Sequence, residues 1–319
     1  MMPSPQSHYL AVDAGGTKAD LILATDDTVL ARVQVGSIKI LNTPPDEAEA
    51  NFASALEQLE RATGVLARHL TRTCIGTSGF SVPSVLEWLR KQHEMRAGGE
   101  LILCGDEEIA LDAAFHGGRG VLALAGTGSN VIGRTADARR VRAGGWGPVL
   151  GDEGSGHWIG LRAVRAIFHS IDERRSTMLQ DAILDAWQLE SLQQLIQLGN
   201  SADLRIFAEL TPVVVRCADT NDEVALKVLE SAGSELARLI ELVVRQMQEM
   251  EAESAALPEV ALAGSILRSI PAVRTSMGDA LHRVWPEIVV HTQSVDPVMG
   301  ALWRARHPNT TPQQTEHGH

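Results

Sequence analysis

Two short turns rich in glycine and threonine, each set between apolar runs, constrain this chain more than any other feature. The first is DAGGTK (residues 13–18), between residues 9–12 and 21–24; the second is GTGSN (residues 126–130), between residues 121–125 and 131–134. Apolar runs bounded by Gly and Asp read as strands that reverse through the turn between them. A third run at residues 29–35 makes the first copy a three-stranded meander, and RRVRAG after a TADA turn closes the second copy in the same way. Thr17 and Thr127 occupy equivalent places, so the grammar is that of a duplicated unit.

Between the copies, Phe52, Leu56, Leu59 and Leu66 recur at helical spacing over residues 46–70. The short strands RTCIG (72–76) and LILC (101–104) flank a second amphipathic stretch around residues 85–89. Strands alternating with helices imply an α/β layer with parallel pairing. Beyond residue 155 the chain turns mainly helical: Trp158, Leu161, Val164, Ile167, Phe168 and Ile171 form one stripe, and residues 224–250 form a longer one. These stripes read as core. VALAGSIL, after Pro258, reads as a strand entering a Gly-Ser turn, PVMGALWRA begins a final helix, and the polar tail at residues 308–319 is expected to fray. The predicted domains are residues 1–115 and 116–319, the second carrying a helical insertion and the last helix free to pack back on the first.

A length of 319 residues suits two domains, each with its own core, and 44% hydrophobic with 21% charged residues is ordinary globular composition. The net charge of -12, with no run of five Lys or Arg, excludes a protein built to grip a nucleic-acid backbone. Cys74, Cys104 and Cys217 lie far apart in sequence, with no CxxC or zinc-finger spacing, and suit a reducing compartment. The N-terminal residues lack a basic segment ahead of an apolar one, and no stretch reaches the ~18 apolar residues of a membrane span. The expectation is a soluble, cytoplasmic protein.

The chemistry sits in the turns. Gly15 and Gly16 let backbone N–H groups approach a polyphosphate, Thr17 adds a hydroxyl, and Asp13 at a strand end is placed to hold Mg²⁺ through water. GTGSN repeats the arrangement, and two such hairpins can grip one phosphate chain, where a single one is more often a plain turn. Neither is a Walker A or a GxGxxG fingerprint. GGWGPVLGDEGSG (residues 144–156) spends six glycines beside Asp152 and Glu153 just before a helix, which suits backbone approach to a ligand; Asp152 or Ser155 can equally cap that helix. Trp146 can stack on a sugar face or simply pack. Asp106, in CGDEEIAL, lies at the carboxyl end of a predicted strand, where open α/β sheets place ligands, and reads either as a proton acceptor or as an N-cap.

In this order and spacing, DAGGTK, GTSG (76–79), GDEE, AGTGSN, GGWGPVLGDEGSG and LAGSIL resemble the BadF/BadG/BcrA/BcrD-type ATPase family and, within it, the N-acetylglucosamine kinases of the sugar kinase, heat-shock protein 70 and actin superfamily. The resemblance spans roughly residues 8–305. It implies an α/β protein of two ribonuclease-H-like, actin-like ATPase domains with an inter-domain active-site cleft for ATP, Mg²⁺ and sugar. DAGGTK, with Asp13, Gly15, Gly16, Thr17 and Lys18, matches the first phosphate motif, and Gly126, Thr127 and Gly128 match the second. Gly264 and Ser265 match the adenosine motif, and Asp106 matches the catalytic aspartate. Asn42, Gly145, Trp146, Gly147 and Asp152 match sugar-contacting positions. The implied reaction is ATP-dependent phosphorylation of an amino sugar, N-acetylglucosamine to its 6-phosphate. Glucosamine, another hexose or N-acetylmuramic acid is the alternative acceptor, and a regulatory ATPase without a sugar is the alternative from another class. Dehydratase activators, one branch of the family, need cysteines for a shared iron-sulfur cluster, and the three scattered cysteines depart from that pattern. Relatives are commonly homodimers.

Overall fold

Residues 9–36 contain three runs of small and branched apolar residues broken by Gly-Gly and Asp-Asp, and they fold as a meander: β1 (Tyr9–Ala14), β2 (Lys18–Ala24) and β3 (Val29–Gly36) pair antiparallel. The computed structural model describes residues 6–201, 204–251 and 256–308, and the polar tail from residue 309 lies outside them. After the meander come α1 (Pro45–Thr63), β4 (Arg72–Thr77), α2 (Pro83–Arg96), β5 (Glu100–Cys104) and α3 (Asp106–Phe115). β4 joins β1 in parallel and β5 joins β4, giving the order β3-β2-β1-β4-β5.

The pattern restarts with β6 (Gly120–Ala125), β7 (Ser129–Arg134) and β8 (Arg140–Gly144). Five helices intervene: α4 (Gly156–Asp172), α5 (Leu179–Ala186), α6 (Leu192–Ser201), α7 (Thr211–Asp219) and α8 (Glu223–Met250). Then follow β9 (Val260–Ala263), α9 (Ser265–Ser269), α10 (Pro271–Val284), β10 (Val290–Ser294) and α11 (Pro297–Arg306). This sheet runs β10-β9-β6-β7-β8, with β6 to β8 antiparallel and β9 and β10 parallel. Counted from the third strand of each meander, both sheets have the order third, second, first, fourth, fifth. The duplication read from two turns therefore extends to whole sheets.

The chain divides into two compact units after Gly118, one containing β1 to α3 with α11 and the other β6 to β10. In the first, strand alternation separates two cores. Leu10, Val12, Leu21 and Leu23 face Phe52 and Leu56 of α1 and Leu89 of α2. Tyr9, Ala11 and Ile22 face Ile109 of α3 and Val298, Ala301 and Leu302 of α11. α11 crosses α3 so closely that a Cβ on Gly300 would lie 1.7 Å from the Ile109 carbonyl oxygen. The crossing is locked by a buried Arg304, which pairs with Asp112 at 2.6 Å and Glu108 at 2.7 Å. In the second unit the stripe of α8, with Leu229, Leu236, Ile240 and Val243, packs on the sheet and on α4 and α7.

Two differences from the sequence reading have local causes. The first helix stops at Thr63, because Gly64 takes the left-handed conformation (φ 74°) and donates to the Glu60 carbonyl, which leaves Leu66 49% exposed. β10 carries no apolar alternation because it is an edge strand, paired to β9 at two positions with a register shift. Among the described residues no helix is long and apolar enough to cross a membrane.

Candidate active site

In the first unit the carboxyl ends of β1, β4 and β5 lie side by side, since the parallel registers place Asp13 beside Gly76 and Gly76 beside Cys104. Asp106 follows two residues later as the first residue of α3, its Oδ1 accepting from the Glu107 N–H at 3.0 Å. The hairpin register sets Asp13 directly opposite Asp20, a like-charge pair that is unfavourable by itself. Arg32 relieves part of it: its Nε donates to Asp20 at 2.9 Å and its Nη1 to Asp296 at 2.6 Å. These two bonds also hold the Arg32 guanidinium firmly in its charged form. Burial, and then the charges of Asp106, Asp20 and Asp296, push the Asp13 carboxyl up to about 6 against the opposing pull of Lys18. Asp13 thus sits among the negative charges of Asp106, Asp20 and Asp296, and the Arg32 guanidinium of the same sheet is bonded to the last two.

The turn between β1 and β2 is shaped from outside. Ser37 Oγ donates to the Gly15 carbonyl at 2.9 Å, and a Cβ on Gly16 would lie 3.7 Å from Asn42 Nδ2. Thr17 and Lys18 are exposed. The structure brings Asp13, the turn residues 15–18, Asn42 and Asp106 to one end of one sheet.

In the second unit Gly126 N–H donates to the Gly128 carbonyl at 2.8 Å, closing the β6–β7 turn. The first two amides of α4, from Gly156 and His157, donate to the carbonyls of Gly126 and Thr127 at 2.8 and 3.2 Å. Ser155 Oγ accepts from Trp158 N–H at 3.2 Å as the helix cap. The start of α4 therefore braces the turn with donors that an anion would otherwise take. Asp152 is buried in a left-handed conformation (φ 60°), and Ser129 N–H donates to its Oδ1 at 3.4 Å. A Cβ on Gly128 would lie 2.9 Å from Asp152 Oδ2, so a side chain there would force the buried carboxylate to shift. Burial raises the Asp152 pKa, opposed by the Ser129 N–H, the His157 ring and the Gly147 N–H. Trp146 is 69% exposed, with the Arg142 guanidinium 5.7 Å from its ring centre and Arg142 Nη2 donating to the Gly145 carbonyl at 2.6 Å.

A cavity of about 490 Å³ opens beside this turn. Gly126, Thr127 and Gly156 form one wall, Ser265, Ile266 and Ile270 another, and Thr211, Pro212 and Val215 of α7 a third. Gly264 joins the walls: its φ of 92° suits glycine, and a Cβ there would lie 2.1 Å from the Ala125 carbonyl oxygen. Bare backbone on one side and aliphatic walls on the other suit a phosphate chain ending in a flat heterocycle. A Cβ on Gly126 would meet only Ser265 Oγ, at 3.9 Å, so that backbone is open to a ligand.

The sequence profile of the BadF/BadG/BcrA/BcrD ATPase family matches residues 10–305. The chain belongs to this family. An N-acetylmuramic acid/N-acetylglucosamine kinase of Clostridium acetobutylicum is 29% identical over 307 residues, 94% of this chain and 98% of the relative. An N-acetyl-D-glucosamine kinase of Dictyostelium discoideum is 26% identical over 309 residues, 92% and 96% of the two chains. The crystal structure of a Chromobacterium violaceum protein assigned as an N-acetylglucosamine kinase aligns with a TM-score of 0.70 at 26% identity, covering 93% of this chain and 98% of that one. The fold is that of the two-domain actin-like sugar kinases.

Within this member of the BadF/BadG/BcrA/BcrD family, several residues of the site carry no motif. Asp20 could have been found from the hairpin register, since it mirrors Asp13 across the turn. Asp296 and Arg32, 264 positions apart, gave no signal, nor did the α7 wall of the cavity. Cys74 and Cys104, distant in sequence, lie with their sulfurs 3.8 Å apart on adjacent strands. No group of three or more His, Cys, Asp or Glu among the described residues is arranged to hold a metal ion unaided.

Proposed function

We propose that this chain transfers the γ-phosphoryl group of ATP to the 6-hydroxyl of N-acetylglucosamine. The observation that supports the reading is the pair of carboxylates at the carboxyl ends of β1 and β5, Asp13 and Asp106, the charge of Asp106 adding to burial in raising the Asp13 carboxyl to about 6. Asp106 accepts the hydroxyl proton as the sugar oxygen bonds to phosphorus and ADP leaves; at the start of α3 it is fixed in place by its own helix. The turn at Gly15, Gly16 and Thr17, with Lys18, and the turn at Gly126, Thr127 and Gly128 hold the phosphates through backbone amides and hydroxyls. Gly264 and Ser265 border the cavity that receives the adenosine. Asn42, Gly145, Trp146, Gly147 and Asp152 orient the sugar, the two relatives' shared N-acetylglucosamine supporting that acceptor.

Mg²⁺ fits the donor set, because Asp13 offers one carboxylate amid an excess of negative charge and the ion would keep water and phosphate oxygens as its remaining ligands. When bound, it offsets the charge of the transferring phosphoryl group.

ADP release from Mg·ATP, measured with N-acetylglucosamine, glucosamine, N-acetylmannosamine, N-acetylmuramic acid, glucose and no sugar, tests the reading. Stimulation greatest with N-acetylglucosamine supports it, and a product phosphorylated at the 6-position completes it. Equal, slow release in every tube refutes a kinase in favour of a regulatory ATPase.

A further inference from the structure

We propose that the recess between α4 and α8 is a binding site for a small phosphorylated ligand, a phosphomonoester with a compact organic part. The recess has a volume of about 240 Å³ and shares no lining residue with the cavity beside Gly126. Two helical stripes face across it. On α4, Trp158, Arg162, Arg165 and His169 recur at intervals of three or four; on α8, Val224, Lys227, Val228 and Ser231 share one face, at i, i+3, i+4 and i+7. Arg175 reaches in from the turn after α4.

Four full cations therefore line one small concavity, against a single carboxylate, Glu173, in a chain whose net charge is -12. Elsewhere on α8, Arg238 and Arg245 are neutralised within one turn, by Glu235 at 3.0 Å and Glu241 at 2.6 Å. The recess lacks that arrangement. Arg175 is held by Glu173 at 3.4 Å and Glu223 at 3.3 Å. Among the described residues no carboxylate forms an ion pair with Arg162, Arg165 or Lys227. Like charges spaced three or four apart on a helix destabilise it, so an accumulation of this kind stands at a cost that a bound anion removes.

The lining also states what kind of anion. Guanidinium groups match phosphate oxygens in paired hydrogen bonds, and an ammonium from the facing helix adds a point charge. Arg162 is oriented by stacking over the Trp158 ring, 4.8 Å from its centre, which leaves its edge for the ligand. Half-buried Trp158, Ala166 and Val224 give an apolar floor for a few carbon atoms. The volume admits a single phosphate ester and not a polyanion, and the acidic remainder of the surface opposes a nucleic acid.

Calorimetric titration of the full chain with glucose 6-phosphate, inorganic phosphate and glucose, at two salt concentrations, tests the site. The comparison proteins are Arg165→Glu and Lys227→Glu, both at exposed positions, with retained fold checked by circular dichroism. Saturable binding of glucose 6-phosphate that weakens with salt and falls by about tenfold or more in each variant supports the site. Equal affinity for inorganic phosphate assigns recognition to the phosphate group alone, and tighter binding of the ester assigns part of it to the apolar floor. Absence of saturable binding, or binding unchanged in both variants, overturns it.

Discussion

Replacing Arg304 by Met should unfold the first unit far more readily than its single-residue scale suggests. The side chain is 4% exposed, and it pairs with Asp112, 1% exposed, and Glu108, 15% exposed, all at the crossing of α3 and α11. Met fills most of the aliphatic volume but leaves two carboxylates facing a position that no longer carries charge. Removing one member of a buried pair costs about 3–5 kcal/mol, because the surviving charge keeps its desolvation penalty and loses its compensation. At about 3 °C of melting temperature per kcal/mol for a unit of this size, the transition should fall by ~10–15 °C. Differential scanning calorimetry and urea unfolding measure it. Adding Asp112→Asn and Glu108→Gln to Arg304→Met should recover more than half of the loss, since it removes the uncompensated charges and keeps the shapes. A single variant within about 1 kcal/mol of wild type, the worth of an exposed ion pair, would refute the reasoning. So would a triple variant no more stable than the single one. The consequence reaches the site, because α3 begins with Asp106 and α11 begins next to Asp296.

Three further outcomes follow from the same structure. Asp106→Asn should lower kcat by about 10²–10⁴ while ADP affinity stays within about twofold, as read by steady-state kinetics and nucleotide titration; turnover within tenfold of wild type removes Asp106 from the role of base. His93 is buried against Thr73 Oγ1 at 3.2 Å, and burial lowers its pKa. The folded chain then resists protonation that the unfolded chain accepts near its ordinary ~6.5, so stability is complete above that pH and is lost as pH falls through it. His93→Gln should show a shallower loss between pH 7.5 and 5.0 in urea titrations, and parallel profiles for the two proteins would sink the idea. Cys74 and Cys104 are fully buried, and the Cys104 thiol is raised well above its usual range by its contact with Cys74 and by burial. Neither should react with a thiol reagent until the chain unfolds, whereas labelling of either in the folded protein would show that the strand pair opens.

What the sequence conveyed and what it withheld divide along one physical line. Strand, turn and strand are local, so the two meanders and the turns at residues 15–18 and 126–128 were legible. Residues placed by their own turn or helix start, such as Asp13, Asp106 and Ser155, could be named with a role or with two. Pairings made by sheet register or helix crossing were not legible, because the chemistry of each partner is unremarkable until the other arrives. Asp20 reads as one more strand polar residue, yet its place opposite Asp13 is what makes Arg32 necessary. Arg32 in turn gives Asp296, at the start of the last helix, a reason to lie where it does. The same holds for Asp152: its motif marks a glycine-rich loop, whereas the contact with Gly128 and the Ser129 N–H arises only when β7 and that loop meet. Arg32 is therefore spent on Asp20 and Asp296, and the charge of Lys18 is what opposes the rise of the Asp13 pKa. Substituting Arg32 would free Asp20 and Asp296 to repel that pair further, so the organisation of the site depends on a bond between residues 264 positions apart.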